Sequence, residues 1–234
     1  MARTFDLEKE SRRFKDELDG LLNRTVCTGI CLKSIVVSTS PQRTVIGYKI
    51  TKDKQALTTG IPVTIDDSEP RFYIGLSIRL APDEQQTFLM VDSSTMILAT
   101  SADLTNDANI LLHYDYERGK HDWDDYPEAH LQVCASSEAW REAAQRLNGK
   151  DRLLERLHLP VGDRRFRPTL EDLVEFLIRE KLAKPQRQWR SAIAAGRAGF
   201  QEKQLKAAVR RRPELAIEVL ERLDYNVKAP RKKK

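Results

Sequence analysis

Three of the four histidines lie within 18 positions of one another: His113, His121 and His130, in the segment LLHYDYERGKHDWDDYPEAHLQV. Histidine changes its charge near neutral pH, so a histidine held by a carboxylate can act as a general acid, a general base or a metal ligand. Aspartates and glutamates surround these histidines in the sequence. This segment is therefore where we first look for chemistry.

The segment predicts two β-strands, residues 110–117 and 128–134, joined by an acidic loop. Because side chains alternate along a strand, His113 and Asp115 share the polar face of the first strand. An antiparallel pairing that aligns the two apolar faces puts Asp115 opposite His130, where Cβ atoms lie about 4.5–5.5 Å apart. The sequence therefore predicts an Asp–His pair, with His113 beside it.

Three interpretations of this cluster stay open. In the first, His130 is oriented by Asp115 and assisted by His113 in acid–base chemistry on a phosphodiester, although the acidic loop from Asp122 would repel a polyanion. In the second, Asp122 joins the other three side chains around a divalent metal. In the third, the residues form a solvated polar hairpin with a structural role. No spacing is as specific as a metal-binding motif, so no metal or cofactor is assigned and enzymatic activity is left undecided.

The positive charge is concentrated near the C-terminus. The net charge is +5, yet residues 185–234 hold 14 Lys/Arg against 5 Asp/Glu, which leaves the rest of the chain at −4. This asymmetry indicates contact with a polyanion, RNA or DNA, and a protein partner encoded nearby is the alternative. The candidate phosphate-binding residues are Arg118, Lys120, Arg164, Arg165, Arg167, Arg190, Arg197, Arg210, Arg211 and Arg212.

The remaining elements predict an α+β protein. Apolar residues at helical spacing predict an N-terminal helix over 4–22. Strands of a mostly antiparallel meander follow at 25–40, 43–51, 61–66, 71–80, 86–91 and 94–100, and then in the two strands of the histidine segment. A hairpin turn is expected at Asp92-Ser93. Strands are expected to stop after Ser137. The sequence lacks the βαβ alternation of a parallel sheet, so a parallel sheet is not expected.

Helices are predicted for the C-terminal part of the chain. They are expected at 138–147, 152–159, from Thr169 onward with Asp172 in a capping box, and at 186–197, 201–211 and 213–224, separated by Gly199 and Pro213. We therefore expect a sheet domain (1–147), a helical extension packed on it (148–184), a basic helical subdomain (185–228) and a disordered basic tail (229–234).

Composition excludes several classes of protein. The apolar runs are too short to cross a bilayer and the first residues lack the apolar core of a secretory signal. Three cysteines, an odd number without framework spacing, indicate reduced thiols and a cytoplasmic location. Cys27 and Cys31 fall on a predicted strand, where we expect them to be core thiols.

Two family resemblances follow from the motif order. The motifs HYDY (113–116), PEAHLQ (127–132) and RLHLP (156–160), then PT (168–169) and the helix beginning EDLVEF (171–176), resemble a group of uncharacterised bacterial proteins of defence and mobile-element loci, over roughly residues 70–182. The order His/Tyr-Asp, Gly-Lys, His and closing helix is similar to TumE-type toxins over about 75–147. The first resemblance implies a bacterial setting and a shared site at Asp115 and His130, but no established activity; the second implies a toxin of a toxin–antitoxin pair.

Overall fold

A computed structural model describes residues 5–37, 42–66, 68–119, 127–135, 159–161 and 167–228. It confirms the predicted α+β class, with a helix, an antiparallel sheet and further helices in chain order. The elements are α1 (Leu7–Thr25), β1 (Lys33–Val37), β2 (Arg43–Gly47), β3 (Ile61–Pro62), β4 (Tyr73–Pro82), β5 (Leu89–Ala99), β6 (Ile110–Glu117), β7 (Ala129–Val133), β8 (Leu159–Pro160), α2 (Leu170–Arg179), α3 (Trp189–Arg211) and α4 (Pro213–Arg222). Among the described residues, no helix is both long and apolar enough to span a bilayer.

The eight strands form one antiparallel sheet in the order β1-β2-β4-β5-β6-β7-β8, and the short β3 also pairs with β4. β8 corrects the expectation that strands stop after Ser137. Its two residues pair with β7, Pro160 opposite His130 and Leu159 opposite Leu131. Isolated two-residue strands carry too little periodicity to be found in a sequence, since pairing rather than pattern defines them.

One face of the sheet carries the main core. Along β4 the side chains of Ile74, Leu76, Ile78 and Leu80 alternate onto this face and are buried. Helices α1 and α2 contribute the rest of the core through Leu18, Leu21, Leu22, Leu173, Val174 and Leu177. The predicted start of α2 is confirmed, since the Thr169 N–H donates to the Asp172 carboxylate over 2.9 Å. The opposite face of the sheet is thereby left for polar residues.

A smaller apolar cluster occupies one end of this opposite face. Ile97, Ala99 and Leu104 form it, and Gly75 makes room for it. A Cβ at Gly75 would lie 2.8 Å from Leu104 Cδ1 and 2.9 Å from Ile97 Cβ. Gly75 is thus required by close packing, and the cluster ends directly beside the polar residues considered below.

The hairpin predicted around Asp92-Ser93 is wrong. Those residues lie inside the continuous strand β5, where the register against β4 shifts so that Arg79 pairs with Ser93 and Leu80 with Val91. Asp92 is the extra residue of a β-bulge. The turn between β4 and β5 lies at residues 83–88, where the Asp83 carboxylate accepts the N–H groups of Thr87 and Phe88. Small polar residues such as Asp92 and Ser93 can form a hairpin turn or a bulge, so composition alone does not distinguish the two.

The strand predicted over 25–40 is also shorter than expected. Helix α1 continues to Thr25 and β1 begins only at Lys33. Cys27 therefore lies in the connection, buried, while Cys31 is exposed. Burial raises the pKa of the Cys27 thiol to about 12, so this thiol stays protonated at neutral pH.

Gly199 does not separate two helices as predicted. α3 runs unbroken from Trp189 to Arg211, because a glycine inside a helix costs only about 1 kcal/mol relative to alanine. The predicted break before Pro213 is correct, and that proline occupies the first turn of α4. The chain divides into two compact units, one ending at Ile193 and one beginning at Ala194. The helix expected over 138–147 lies outside the described residues. Of the helix expected over 152–159 only Leu159 is described, and it lies in β8 and not in a helix.

Candidate functional site

Strands β5, β6 and β7 assemble a polar row on the sheet face opposite the main core. The predicted register is confirmed: Asp115 pairs with His130, and His113 pairs with Gln132. On the other side of β6, Asp115 pairs with Thr95 of β5. Asp115 therefore stands in the centre of the row, flanked by Thr95 and His130, with His113 two residues away on the same face.

The Asp115 carboxylate accepts hydrogen bonds from two of these neighbours. His113 Nδ1 lies 2.5 Å from Asp115 Oδ2, and the Thr95 hydroxyl donates to Asp115 Oδ1 over 2.7 Å. The hydrogen bond expected between Asp115 and His130 is not made, since His130 Nε2 lies 3.7 Å from Asp115 Oδ2. The imidazole in hydrogen-bond contact with Asp115 is therefore that of His113 and not, as expected, that of His130.

His130 is held by a different group. Its Nδ1 lies 3.0 Å from the carbonyl oxygen of Pro127, and since a carbonyl only accepts, this nitrogen carries the proton. Its side chain is 4% exposed, against 24% for His113 and 20% for Asp115. A substrate can reach the pair formed by His113 and Asp115 more readily than it can reach His130.

The pKa of Asp115 is lowered by its surroundings. Burial is the largest influence and by itself raises the pKa of this carboxyl. The hydrogen bonds from His113 and Thr95, together with the positive charge of His113 and His130, outweigh burial and bring the pKa below its ordinary value. Asp115 is therefore a carboxylate throughout the neutral range and accepts, never donates, the hydrogen bond with His113.

This lowered pKa predicts a pH-dependent contribution to stability. A carboxyl whose pKa is lower in the folded chain stabilises the fold above its unfolded pKa of about 4, and the contribution is lost as pH falls through the folded pKa. We expect the difference in free energy of unfolding between the wild type and Asp115→Asn to shrink from pH 6 to pH 3 in urea titrations. A difference that stays constant over that range would show that the charge of Asp115 contributes nothing.

Sequence reasoning missed Thr95. The apolar faces predict the register of β6 against β7, whereas the turn expected at Asp92-Ser93 falls inside β5, the strand whose pairing with β6 brings Thr95 to Asp115. Ser93, Thr95 and Ile97 alternate with apolar Met96 and Leu98 on one continuous strand. The alternation from Ser93 to Leu98 is enough to place Thr95 on the polar face, and the pairing of this stretch with β6 puts it beside Asp115.

Arg118, one of the candidate phosphate-binding residues, contacts Tyr116 and the backbone of β5. Its guanidinium lies 5.8 Å from the ring centroid of Tyr116, and its Nε donates to the Val91 carbonyl over 2.9 Å. Tyr116 follows Asp115 directly, so its side chain projects from the opposite face of the strand. Arg118 is therefore directed to the far side of the sheet by its contact with Tyr116.

Arg167 meets Arg118 at the same ring. The Arg167 guanidinium lies 5.5 Å from the Tyr116 centroid, and burial lowers the pKa of Arg167 although Tyr116 opposes that effect. Two predicted phosphate-binding residues from distant parts of the chain thus flank one buried tyrosine, a geometry typical of cation–π packing. Both guanidinium groups therefore lie at the Tyr116 ring near the end of β6.

The other basic candidates are distributed along the C-terminal helices. Arg190 is exposed and lies over the Trp189 ring at 4.6 Å, and Arg197 is half-buried within α3. Arg210, Arg211 and Arg212 are exposed where α3 ends and α4 begins. Lys120, Arg164 and Arg165 lie outside the described residues.

The metal interpretation gains no support from the described residues. Within them, no group of three or more His, Cys, Asp or Glu side chains could hold a metal ion, and Asp122 lies outside them.

The acidic loop is expected to repel a polyanion, and Glu128 is its one acidic residue among those described. At this residue the obstacle to a polyanion is smaller than expected. Glu128 is buried, and its carboxylate accepts the Gly119 N–H over 2.5 Å.

Comparisons with known proteins return no match: no protein-family model fits the chain, and searches of curated proteins and of solved structures find none. The function of the chain is therefore inferred from its own residues.

Proposed function

We propose that this chain binds RNA and cleaves its phosphodiester bonds, with His113 as the general base and Asp115 as the residue that positions it. The observation that carries the proposal is the 2.5 Å contact between His113 Nδ1 and Asp115 Oδ2. A carboxylate bound to Nδ1 holds the proton on that nitrogen and leaves the lone pair of the neutral ring on Nε2. His113 is thereby prepared to accept a proton.

Thr95 strengthens this arrangement. Its hydroxyl occupies Asp115 Oδ1, so that Oδ2 is the oxygen left to His113. A carboxylate bound at both oxygens by neighbours on the same sheet face has little rotational freedom. Rigid strands hold all three residues, which favours a preorganised acid–base group over an adaptable surface pair.

The reaction that fits the imidazole of His113 is transesterification within RNA. His113 Nε2 takes the proton of a ribose 2′-hydroxyl, and the 2′-oxygen attacks the adjacent phosphorus. The P–O5′ bond breaks as the new P–O2′ bond forms, and the proton returns from His113 to the 5′-oxygen. The products are a 2′,3′-cyclic phosphate and a 5′-hydroxyl, and no metal, oxidant or second substrate is consumed. DNA lacks the 2′-hydroxyl and cannot react in this way.

The charge of the C-terminal region supports a nucleic acid as the partner. Residues 185–234 hold 14 Lys/Arg against 5 Asp/Glu. Phosphate contacts of this kind give affinity without sequence preference, and the affinity falls steeply with salt. We assign these basic residues to binding the strand and not to the reaction.

The experiment is a cleavage assay on two matched oligonucleotides of mixed sequence, one RNA and one in which every ribose is 2′-deoxy. We expect the purified full chain to cleave the RNA, to leave a 2′,3′-cyclic phosphate, and to leave the DNA intact while binding both at low salt. Cleavage of both strands at equal rates, or an intact RNA that the protein demonstrably binds, would contradict the proposed reaction.

One observation favours a second candidate, a nucleic-acid-binding or protein-interaction subunit without catalytic activity. His130 is almost fully buried, so the second acid–base group of a two-histidine mechanism is shielded from substrate. In this alternative the His113–Asp115 pair has a structural role. Binding without cleavage in the same assay identifies it, and the absence of a gel shift at two salt concentrations leaves a protein partner. The bacterial defence or toxin–antitoxin setting is proposed on the sequence resemblance alone.

A further inference from the structure

Arg79 is a basic residue on the same sheet face as the polar row. It lies on β4 and pairs with Ser93 of β5, two residues from Thr95. Thr95 pairs in turn with Asp115 of β6. Because side chains on one face recur at every second residue, Arg79 projects from the face that carries the polar row. The row therefore has a positively charged neighbour on the sheet itself.

The guanidinium of Arg79 is accessible and its charge is not matched by a carboxylate. The residue is exposed, and none of the described carboxylates forms an ion pair or a hydrogen bond with it. The nearby bulge residue Asp92 pairs instead with Arg43 over 3.3 Å, and Glu117 lies across the ladder on the far side of Ser93. The N–H donors of Arg79 are thus available to an anion.

The register gives the separation between Arg79 and the histidine. Gly75 of β4, Ile97 and His113 lie in one row across the sheet, so Arg79 is two strands from His113 and four residues further along. With strands about 4.8 Å apart and a rise of about 3.4 Å per residue, the two Cβ atoms are about 17 Å apart. Strand side chains stand roughly perpendicular to the sheet, which maintains this separation. A phosphate that reacts at His113 is therefore not the phosphate that Arg79 contacts.

The face between these two residues is accessible to an extended strand. Ser93 and Thr95, which lie between Arg79 and β6, have short side chains and are partly exposed. RNA carries a phosphate in every backbone linkage, and arginine binds a phosphate through two parallel N–H groups. A strand that has its reacting bond at His113 and crosses β5 toward β4 presents a second phosphate to Arg79.

We propose that Arg79 binds a phosphate of the RNA that flanks the one cleaved at His113. The proposal rests on the proposed function, because it takes His113 as the place of cleavage. The bond that breaks is elsewhere, so Arg79 contacts the strand equally in the ground state and in the transition state. Such uniform binding lowers KM and leaves kcat unchanged.

Two substrates separate this contact from the reaction. A dinucleoside monophosphate contains only the bond to be cleaved, whereas an RNA oligonucleotide of mixed sequence also carries flanking phosphates. The constants kcat and KM are measured on both for the full-length wild type, Arg79→Gln, Arg79→Lys and Arg13→Gln, with circular dichroism to verify the fold. Arg13→Gln is the matched control, since Arg13 is exposed on α1, the helix that packs on the opposite face of the sheet.

We expect Arg79→Gln to raise KM for the oligonucleotide about 10-fold at unchanged kcat, the effect of losing one charge-assisted phosphate contact. Both constants for the dinucleotide should stay within about 2-fold of the wild type, because that substrate has no flanking phosphate. Arg79→Lys keeps the charge and should retain most of the affinity, and Arg13→Gln should match the wild type. A wild-type KM of Arg79→Gln for the oligonucleotide would overturn the proposal, and so would an equal loss on both substrates.

A wild type that cleaves neither substrate would end the proposed reaction, and binding then decides on the contact. The probe is the 2′-deoxy oligonucleotide, followed by fluorescence anisotropy at several salt concentrations. An affinity of Arg79→Gln about 10-fold weaker, with a slope of log affinity against log salt that is shallower by about 0.7, supports a phosphate contact at Arg79. Affinity and slope equal to those of the wild type overturn it.

Discussion

Replacing His113 with alanine is expected to lower the rate of RNA cleavage by about 10²- to 10⁴-fold, the usual range for losing a positioned general base. The expected effect is large because His113 is the exposed histidine of the row and the one that Asp115 orients. Its side chain is partly exposed, so its loss leaves no cavity in the main core. The measurement is single-turnover cleavage of the RNA oligonucleotide under saturating protein.

Two comparisons make this result specific. Ser77→Ala removes a hydroxyl from the same face of the sheet, in the strand that pairs with Thr95, and should leave the rate within about 2-fold. Asp115→Asn should lower the rate and change the pH–rate profile, because it removes the carboxylate that fixes the tautomer of His113. A His113→Ala variant that cleaves at the wild-type rate would reduce the pair to a structural role.

Replacing Leu76 with alanine is expected to lower the free energy of unfolding by about 2–5 kcal/mol. Leu76 is fully buried at the centre of β4, opposite Met96 and inside the core shared with α1 and α2. Truncation would leave a cavity lined by strands on both sides, which cannot collapse without breaking the sheet register. Urea denaturation monitored by circular dichroism measures the change.

Leu76→Met is the matched comparison for this site. It keeps the volume of the side chain and should cost less than about 1.5 kcal/mol. Equal and small effects of both substitutions would mean that β4 is not the centre of the core. Because β4 pairs with β5, which carries Thr95, such a result would also undermine the placement of the polar row.

The register of β6 against β7 was predictable because each strand has one apolar face. Shifting a strand by one residue would turn Tyr114 and Leu131 to the polar side, so the alternation excludes that shift, and Asp115 opposite His130 is a pairing that keeps both apolar faces together. The alternation of apolar and polar residues along each strand therefore predicted which side chains share a face. It did not predict which of them form hydrogen bonds.

Which of the two histidines contacts Asp115 depends on side-chain geometry that the alternation along a strand does not predict. His113 and His130 are both neighbours of Asp115, one along the strand and one across it. Nδ1 of His130 donates to the Pro127 carbonyl, and the short strand β8 pairs with that histidine. The carboxylate of Asp115 instead accepts from Nδ1 of His113. Neither a bulge at Asp92 nor a two-residue strand has a distinctive composition, and both affect the site.

Nitrogen-15 NMR of the imidazole rings tests the central claim most directly. At a pH where His113 is neutral, two-bond correlations to the ring protons distinguish a protonated Nδ1 from a protonated Nε2. We expect Nδ1 of His113 to carry the proton in the wild type, because Asp115 Oδ2 accepts from it, and we expect that preference to be lost in Asp115→Asn. A wild-type His113 protonated on Nε2 would contradict the account, because the nitrogen that faces the substrate would then hold a proton and could not accept one.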